Sequence, residues 1–516
     1  MSFNSLIFLF AFLPFVLIVY YSLSLSRLHL LRLPFLVLAT LGFYAHAQPR
    51  YVPLLLVSII INYLLAILIV RTENPKVKQR WLILGVSANV ATLIYLKYFS
   101  VVSGAVCGVF GASNPFINIM APLAISFYTF QQIGFLVDVA RGRIVLDGLM
   151  KYMAFVAFFP TLLSGPITLN QEIAPQLAAR PDRERFAQNL LIGLVIFSFG
   201  LFKKTVFADT AALWADPVFN AAQSGASPGF FLSWGAAFTY TLQIYFDFSG
   251  YSDMAIGVAR MLGVVLPLNF YSPLRSTSIS ELWRRWHMTL SRFVRMYIFQ
   301  PLIIPLTRLS ADRGYGRWKA FSVSMLLPTF LSMLIIGTWH GPSWTYVTFG
   351  LMHGTFMCIN EIYNAITRKR RRGKLETRTV LFAYGLLTLL AFVSAEVPFR
   401  AESMSAAWQI FAGMAGLHGL GISQDWATSF SSGGNAMMIP IIAIGLSIVY
   451  MFPNTEQIMS RVRPALEWDK WRQVDPARFS FPFEFNIVWM GAVSVVLFFG
   501  FAFLSRGSTS FIYFKF

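Results

Sequence analysis

The sequence predicts an all-α fold, a polytopic transmembrane helical bundle of about ten to thirteen membrane segments with re-entrant helices included. Three observations predict it. Hydrophobic residues fill 56% of the 516 positions and charged residues only 12%, whereas a soluble domain carries about 25% charge. The apolar residues gather into long runs, and positive charge gathers in the short segments between them. A chain this poor in charge cannot solvate its own surface in water, so lipid covers much of it.

Taken in order, the apolar runs are 5–22, 31–45 and 53–70, then 189–202, 230–246, 321–336, 380–393, 437–450 and 487–504. A helix crosses the hydrocarbon in roughly 20 residues, and shorter runs suffice where flanks snorkel or the helix is re-entrant. The first run has no basic residues ahead of it and no small-residue cleavage site, so it reads as a retained span and not as a signal peptide. The two cysteines, Cys107 and Cys358, lie in apolar segments. Neither a disulfide framework nor a CxxC metal site fits that separation, and no metal is expected.

A net charge of +19 raises nucleic acid as a partner. The placement of the charge argues against it. Arg71, Lys76, Lys78 and Arg80 form one inter-span cluster, and Arg141, Arg143 and Lys151 form another. The segment 368–378 holds seven Arg or Lys, and Arg461, Arg463, Lys470, Arg472 and Arg478 lie before the last run. The positive-inside rule puts these loops in the cytoplasm, with the N-terminus and C-terminus both outside. Lys203 and Lys204 do not fit that scheme, because they fall at an outer end.

Polar residues interrupt the apolar segments most between Leu123 and Glu361, and an ionisable group inside a membrane is a site hypothesis by default. The sequence contains no P-loop, nucleophile elbow or HExxH helix. Of six histidines, His29, His46 and His418 fall near span ends and read as interfacial filler. His287, His340 and His353 fall in the interrupted core. His340 stands in Gly337-Thr338-Trp339-His340-Gly341-Pro342-Ser343-Trp344, where an apolar helix runs up to it and Gly341-Pro342 stops that helix. Its imidazole is expected at a helix end inside the membrane, flanked by Trp339 and Trp344. A structural histidine bonded to a nearby carbonyl is the plainer alternative.

Ser278 and Glu281 have capping-box spacing and predict a helix start. Steps of about 100° along that helix put Arg284, Arg285, Arg292 and Arg295 on one arc and Leu282, Trp283, Trp286, Leu290, Phe293 and Tyr297 on the other, with His287 on the boundary. This pattern predicts an interfacial amphipathic helix that binds either acidic lipid headgroups or a phosphorylated donor. Upstream, Tyr245, Asp247, Ser249, Tyr251, Ser252 and Asp253 interrupt an apolar stretch. They predict a polar break between two spans that lines a cavity, or two carboxylates paired with the arginines of the 284–295 helix.

Several stretches together resemble the membrane-bound O-acyltransferase (MBOAT) family, and closely its bacterial polysaccharide-acetylating branch. They are Pro122 to Phe130, Phe159-Pro160 with Ser164-Gly165-Pro166, Tyr245 to Asp253, Asn269 to Pro273, Trp283 to His287, and Trp339-His340-Gly341. The resemblance covers about 1–400 plus the terminal tail. It implies one transmembrane domain over 1–516, a catalytic core over 117–360 and an extracytoplasmic tail over 505–516. It also implies inner and outer funnels that meet at His340, matched to the family's catalytic histidine, with His287 at the second active-site position. Arg284, Arg285, Arg292 and Arg295 become donor-binding candidates. Asp247, Ser249, Tyr251, Asp253, Asn269, Trp339 and Trp344 become funnel candidates. The chain departs from its relatives over 394–400, where a more aromatic run is expected, and Glu396 receives no role.

The expected activity is transfer of acetyl from cytoplasmic acetyl-CoA to an extracellular or periplasmic polysaccharide such as alginate, in a bacterial cytoplasmic (inner) membrane. Acetyl-CoA is then a substrate and no cofactor is held permanently. Expected partners are membrane lipid, the polysaccharide and an extracytoplasmic acetyltransferase, without nucleic acid. Tyr513 in the apolar tail 511–516 is an acyl-relay candidate, the alternative being an aromatic anchor at the interface. A polytopic transporter or flippase of a lipid-linked or acyl substrate is the rival from another class, although such folds usually show internal repeats and none is visible.

Overall fold

Charge-poor, leucine- and phenylalanine-rich segments satisfy their backbone groups in lipid only as helices, and helices are what the computed structural model contains. It describes residues 1–111, 122–180, 184–371, 377–420, 437–504 and 511–512. Among them, eight helices are long and apolar enough to cross a membrane. These are α1 (Phe8–Leu25), α2 (His29–Ala47), α3 (Pro49–Arg71), α4 (Pro75–Val109), α5 (Phe186–Gln223), α9 (Arg317–His340), α11 (Arg378–Arg400) and α12 (Ile487–Leu504). The remaining labelled helices are α6 (Phe230–Met261), α7 (Ile279–Arg285), α8 (Met288–Val294) and α10 (Trp344–Arg371). The chain is thus a multi-pass helical membrane protein.

The stretch 245–253 is not a break between two spans. It lies inside α6, one continuous helix of 32 residues whose residues from Ala236 to Ala259 are almost all buried. Its polar side chains escape lipid because other helices surround it. Helix α5 packs directly on it at two glycine pairs. A Cβ on Gly193 would come within 2.5 Å of the Gly257 carbonyl oxygen, and one on Gly200 within 2.6 Å of the Gly250 carbonyl oxygen. Small residues let two helix backbones touch, and in a membrane this close packing carries much of the association.

That contact places Lys203 and Lys204 against the carboxylates of α6. Lys203 Nζ lies 2.7 Å from Asp253, and Lys204 Nζ lies 2.7 Å from Asp247 and 2.8 Å from Asp209. Thr455 also donates to Asp253. The expected pairing of Asp247 and Asp253 with arginines of the 284–295 segment is therefore incorrect, because neighbouring lysines hold both. The misfit of Lys203 and Lys204 as topological markers disappears for the same reason. Each neutralises a buried acid, so neither counts as a loop charge.

Removing one member of such a network leaves a buried charge uncompensated, which costs about 3–5 kcal/mol. Lys204→Met should therefore lower the melting temperature of the detergent-purified protein, read by tryptophan fluorescence. Adding Asp247→Asn should recover part of the loss, because the two sites are coupled. An unchanged melting temperature in Lys204→Met would show that the network contributes nothing to the fold.

Candidate active site

The sequence places His340 at a helix end, and the structure does the same. Helix α9 stops there, with Gly341 as its C-cap. The last carbonyls of a helix carry partial negative charge and need donors. Two residues of α4 supply them: Lys97 Nζ donates to the Trp339 carbonyl and Tyr98 Oη to the Thr338 carbonyl. Backbone contact fixes the next turn as well, since a Cβ on Gly337 would meet the Tyr346 carbonyl oxygen at 2.5 Å. The buried imidazole packs edge-on against Phe399 at 4.8 Å and Phe349 at 5.9 Å.

Of the two tryptophans expected to flank His340, Trp339 does so, edge-on at 4.7 Å. Trp339 is buried, stacked on Phe130 at 5.3 Å with the Lys97 ammonium over its ring. Trp344 is 76% exposed, because α10 begins at that residue and turns it outward.

His287 departs further from expectation. The amphipathic helix is not continuous: α7 ends at Arg285, His287 adopts φ 41°, and α8 starts at Met288. Ser278 does cap α7, accepting from the Glu281 N–H, while the Glu281 carboxylate accepts from Thr277. A non-glycine residue in the left-handed region is strained and persists only where its surroundings over-determine it. Here the Met288 N–H donates to the Asn269 carbonyl at 2.8 Å, and His287 Nδ1 lies 3.0 Å from Asn269 Oδ1.

The orientation of Asn269 follows from its other partners. Its Oδ1 accepts from the Thr289 N–H at 3.4 Å and hydroxyl at 2.8 Å, and its Nδ2 donates to Ser252 at 2.9 Å. His287 Nδ1 must then be the donor, which leaves Nε2 as the basic nitrogen of the neutral ring. Asn269, expected as a funnel residue, is a positioning residue for His287.

His287 and His340 line the same small cavity, of about 10 Å³, room for about one water molecule. Its walls are mainly Ile244, Trp283, Trp286, Phe349 and Phe399, and they include one carboxyl, Glu396. Sequence reasoning assigned Glu396 nothing, although a lone acid in the apolar run of a spanning helix was a signal that could have found it. His353 is not among the residues that line this cavity; its Nδ1 accepts from the Trp283 indole at 3.2 Å and so holds one of the wall's aromatics.

Two larger pockets adjoin the cavity. One, of about 330 Å³, shares Trp283 with it and is lined by Arg284, Arg292, Arg295, Ser280, Glu361 and Glu467 among others. Arg284 and Arg295 are exposed there, and Glu172 holds Arg292 in a two-pronged ion pair. A hydrogen bond from Lys470, aided by the charges of Lys470, Arg292 and Arg295, keeps the Glu467 carboxyl below its usual range. Arg285 does not join the other three. It is buried and turned to Asp475 at 2.7 Å and Glu281 at 2.5 Å, about 100° around α7 from Arg284.

The second pocket, of about 210 Å³, shares Phe399 with the cavity and has Gln243, Thr345, Tyr346, Arg400 and Ile512 in its wall. Ile512 belongs to the terminal segment, and its N–H donates to Asp247 at 2.8 Å. The preceding Phe511 stacks on Tyr251 at 4.1 Å and 13° and touches Phe248, which packs on His287 at 4.7 Å. Asp247 and Tyr251 thus hold the tail. Ser249 is buried but lines none of these three cavities, and Asp253 is held in the lysine network. Tyr513 lies outside the described residues.

Residues 139–384 match the model of the membrane-bound O-acyltransferase family. Over 446 residues the chain is 36% identical to the peptidoglycan O-acetyltransferase of Helicobacter pylori, covering 81% of each chain. It is 37% identical to the probable alginate O-acetylase AlgI of Azotobacter vinelandii, covering 80% of this chain and 78% of that one. A more distant match is the teichoic acid D-alanyltransferase of Streptococcus thermophilus, 28% identical over 49% of this chain and 61% of that protein.

Proposed function

Because the chain belongs to the membrane-bound O-acyltransferase family, and is therefore an acyltransferase, we propose that it moves acetyl from cytoplasmic acetyl-CoA across a bacterial inner membrane. The acetyl then reaches an extracytoplasmic polysaccharide. The observation that carries this reading is that two pockets each share a wall residue, Trp283 or Phe399, with the cavity lined by His287 and His340. A donor thioester can approach past Trp283 and an acceptor past Phe399, so the two substrates meet where a base is waiting.

His340 takes the acceptor hydroxyl's proton as its oxygen attacks the thioester carbonyl. His287, oriented by Asn269, lines the same cavity and supports it with a basic Nε2. The relatives named for alginate and peptidoglycan favour a glycan as final acceptor. Tyr513 is the relay to a second, extracytoplasmic transferase, an idea supported by resemblance and by the docking of Phe511 and Ile512 beside the cavity. The test is direct: purified protein incubated with labelled acetyl-CoA should release CoA. No release beyond the solvent background would end this reading in favour of a transporter.

The basic pocket supplies a second expectation. Phosphates of acetyl-CoA are recognised by Arg284, Arg292 and Arg295, and hydrogen bonds to charged groups are worth about 1.5–3 kcal/mol each. Replacing all three by Gln should raise the apparent KM for acetyl-CoA at least about tenfold. Arg285→Gln should leave KM unchanged and lower the melting temperature instead. Reduced kcat at constant KM in the triple variant would make those arginines structural.

A further inference from the structure

We propose that Glu396 is a catalytic residue of the inner cavity, a neutral carboxylic acid whose O–H donates to the acyl carbonyl oxygen as negative charge builds on it. The assignment rests on the acyl-transfer reading above and adds to it the group that binds the oxyanion.

Three observations lead there. Glu396 lies on α11, is 1% exposed, and shares the cavity with both histidines. Its Oε2 is buried without a hydrogen-bond partner among the described residues. The other walls of the cavity are aromatic or aliphatic apart from the two imidazoles, and among the described residues no Lys or Arg lines it. An ionised carboxylate without a partner in such a place costs far more than the protonated acid. The protonated acid has one O–H to give and a carbonyl oxygen besides.

Attack on a thioester builds charge on the carbonyl oxygen, and a donor aimed at that oxygen in a dry site lowers the barrier. Two obvious donors of this wall are already engaged. The Trp283 indole N–H is bonded to His353, and His287 Nδ1 is bonded to Asn269. Glu396 Oε2 is not engaged among the described residues. A buried acid kept neutral so that it can donate a hydrogen bond is an established way to hold an oxyanion.

The step balances without further reagents. The acceptor oxygen bonds to the acyl carbon, its proton passes to His340, and the carbonyl π pair moves onto oxygen, where the Glu396 O–H meets it. Collapse restores the C=O bond and breaks the C–S bond. The thiolate then takes the proton from His340. Thioester and hydroxyl become ester and thiol, and Glu396 keeps its proton throughout.

The test compares Glu396→Gln, which keeps an N–H donor of similar reach, with Glu396→Met, which keeps only the bulk. With acetyl-CoA as substrate, the Met variant should lose about 10²–10³-fold in kcat at nearly unchanged KM, the loss seen when one oxyanion donor is removed. The Gln variant should retain most of the rate. Infrared difference spectra should show a carboxylic-acid C=O band in the wild type that Glu396→Gln lacks. Replacing an unpaired buried polar group by an apolar one seldom costs stability. Should the Met variant nevertheless fail to fold, the Gln variant and the infrared band carry the test.

A Met variant with wild-type kcat overturns the assignment, since Glu396 is then a spectator. A Gln variant as slow as Met, or a carboxylate band in place of the acid, also overturns it. A wild-type protein that releases no CoA sinks the acyl-transfer reading and this assignment together. An active wild type with the wrong variant pattern sinks this assignment alone.

Discussion

His340→Ala is expected to lower acetyl transfer by about 10²–10⁴-fold, the usual contribution of a positioned general base. The loss should appear equally in kcat and kcat/KM, because the proton is taken only in the transition state. Acetyl-CoA should still bind, since the arginines proposed to hold its phosphates lie in the adjoining pocket and not around His340. The imidazole is also a packing element, edge-on to Phe399 and Phe349, so the variant leaves a void and loses some stability. His340→Gln, closer in volume, separates the two effects: it should stay folded and remain slow. His287→Ala should be impaired less, because His287 supports the site without taking the proton. A folded His340 variant with near wild-type turnover would remove His340 from the chemistry.

The parts of this molecule legible in the sequence are those set by local chemistry. The apolar runs announced spans because lipid leaves the backbone no alternative to helix. The Gly341-Pro342 stop announced where α9 ends and so where His340 sits. The parts that escaped depend on what packs against what. A polar run read as a break, Tyr245 to Asp253, is continuous helix because α5 brings Lys203 and Lys204 to its acids. A regular 100° step cannot foresee the kink at His287, which exists because Asn269, 18 positions earlier in the chain, captures its ring. Glu396 received no role for a related reason, since its place in the cavity comes from the two histidines that other segments deliver to it.

Tyr513→Phe is expected to abolish acetylation of the polysaccharide while acetyl-CoA binds as in the wild type. Tyr513 itself lies outside the described residues, and the expectation starts from its neighbours. A free tail leaving a membrane helix is normally polar, yet Phe511 and Ile512 are buried. The Ile512 N–H is fixed on Asp247, whose other partner is Lys204. Ile512 also forms part of the pocket that meets the cavity at Phe399. A tail held this way sits beside the proposed chemistry, where an anchor would have no need to be. A phenol has a pKa of about 10, well below that of a sugar hydroxyl, so its acetyl ester stays activated and can be handed on. Phenylalanine keeps the ring that an anchor requires and removes only the oxygen that a carrier requires. The measurement is acetyl content of the polymer in cells, with mass spectrometry of the peptide containing residue 513 after acetyl-CoA turnover. An acetyl group on that peptide in the wild type, absent in Tyr513→Phe, is the expected pattern. Polymer acetylated equally well by the variant would reduce the tail to an anchor and require the acceptor to enter the pocket itself.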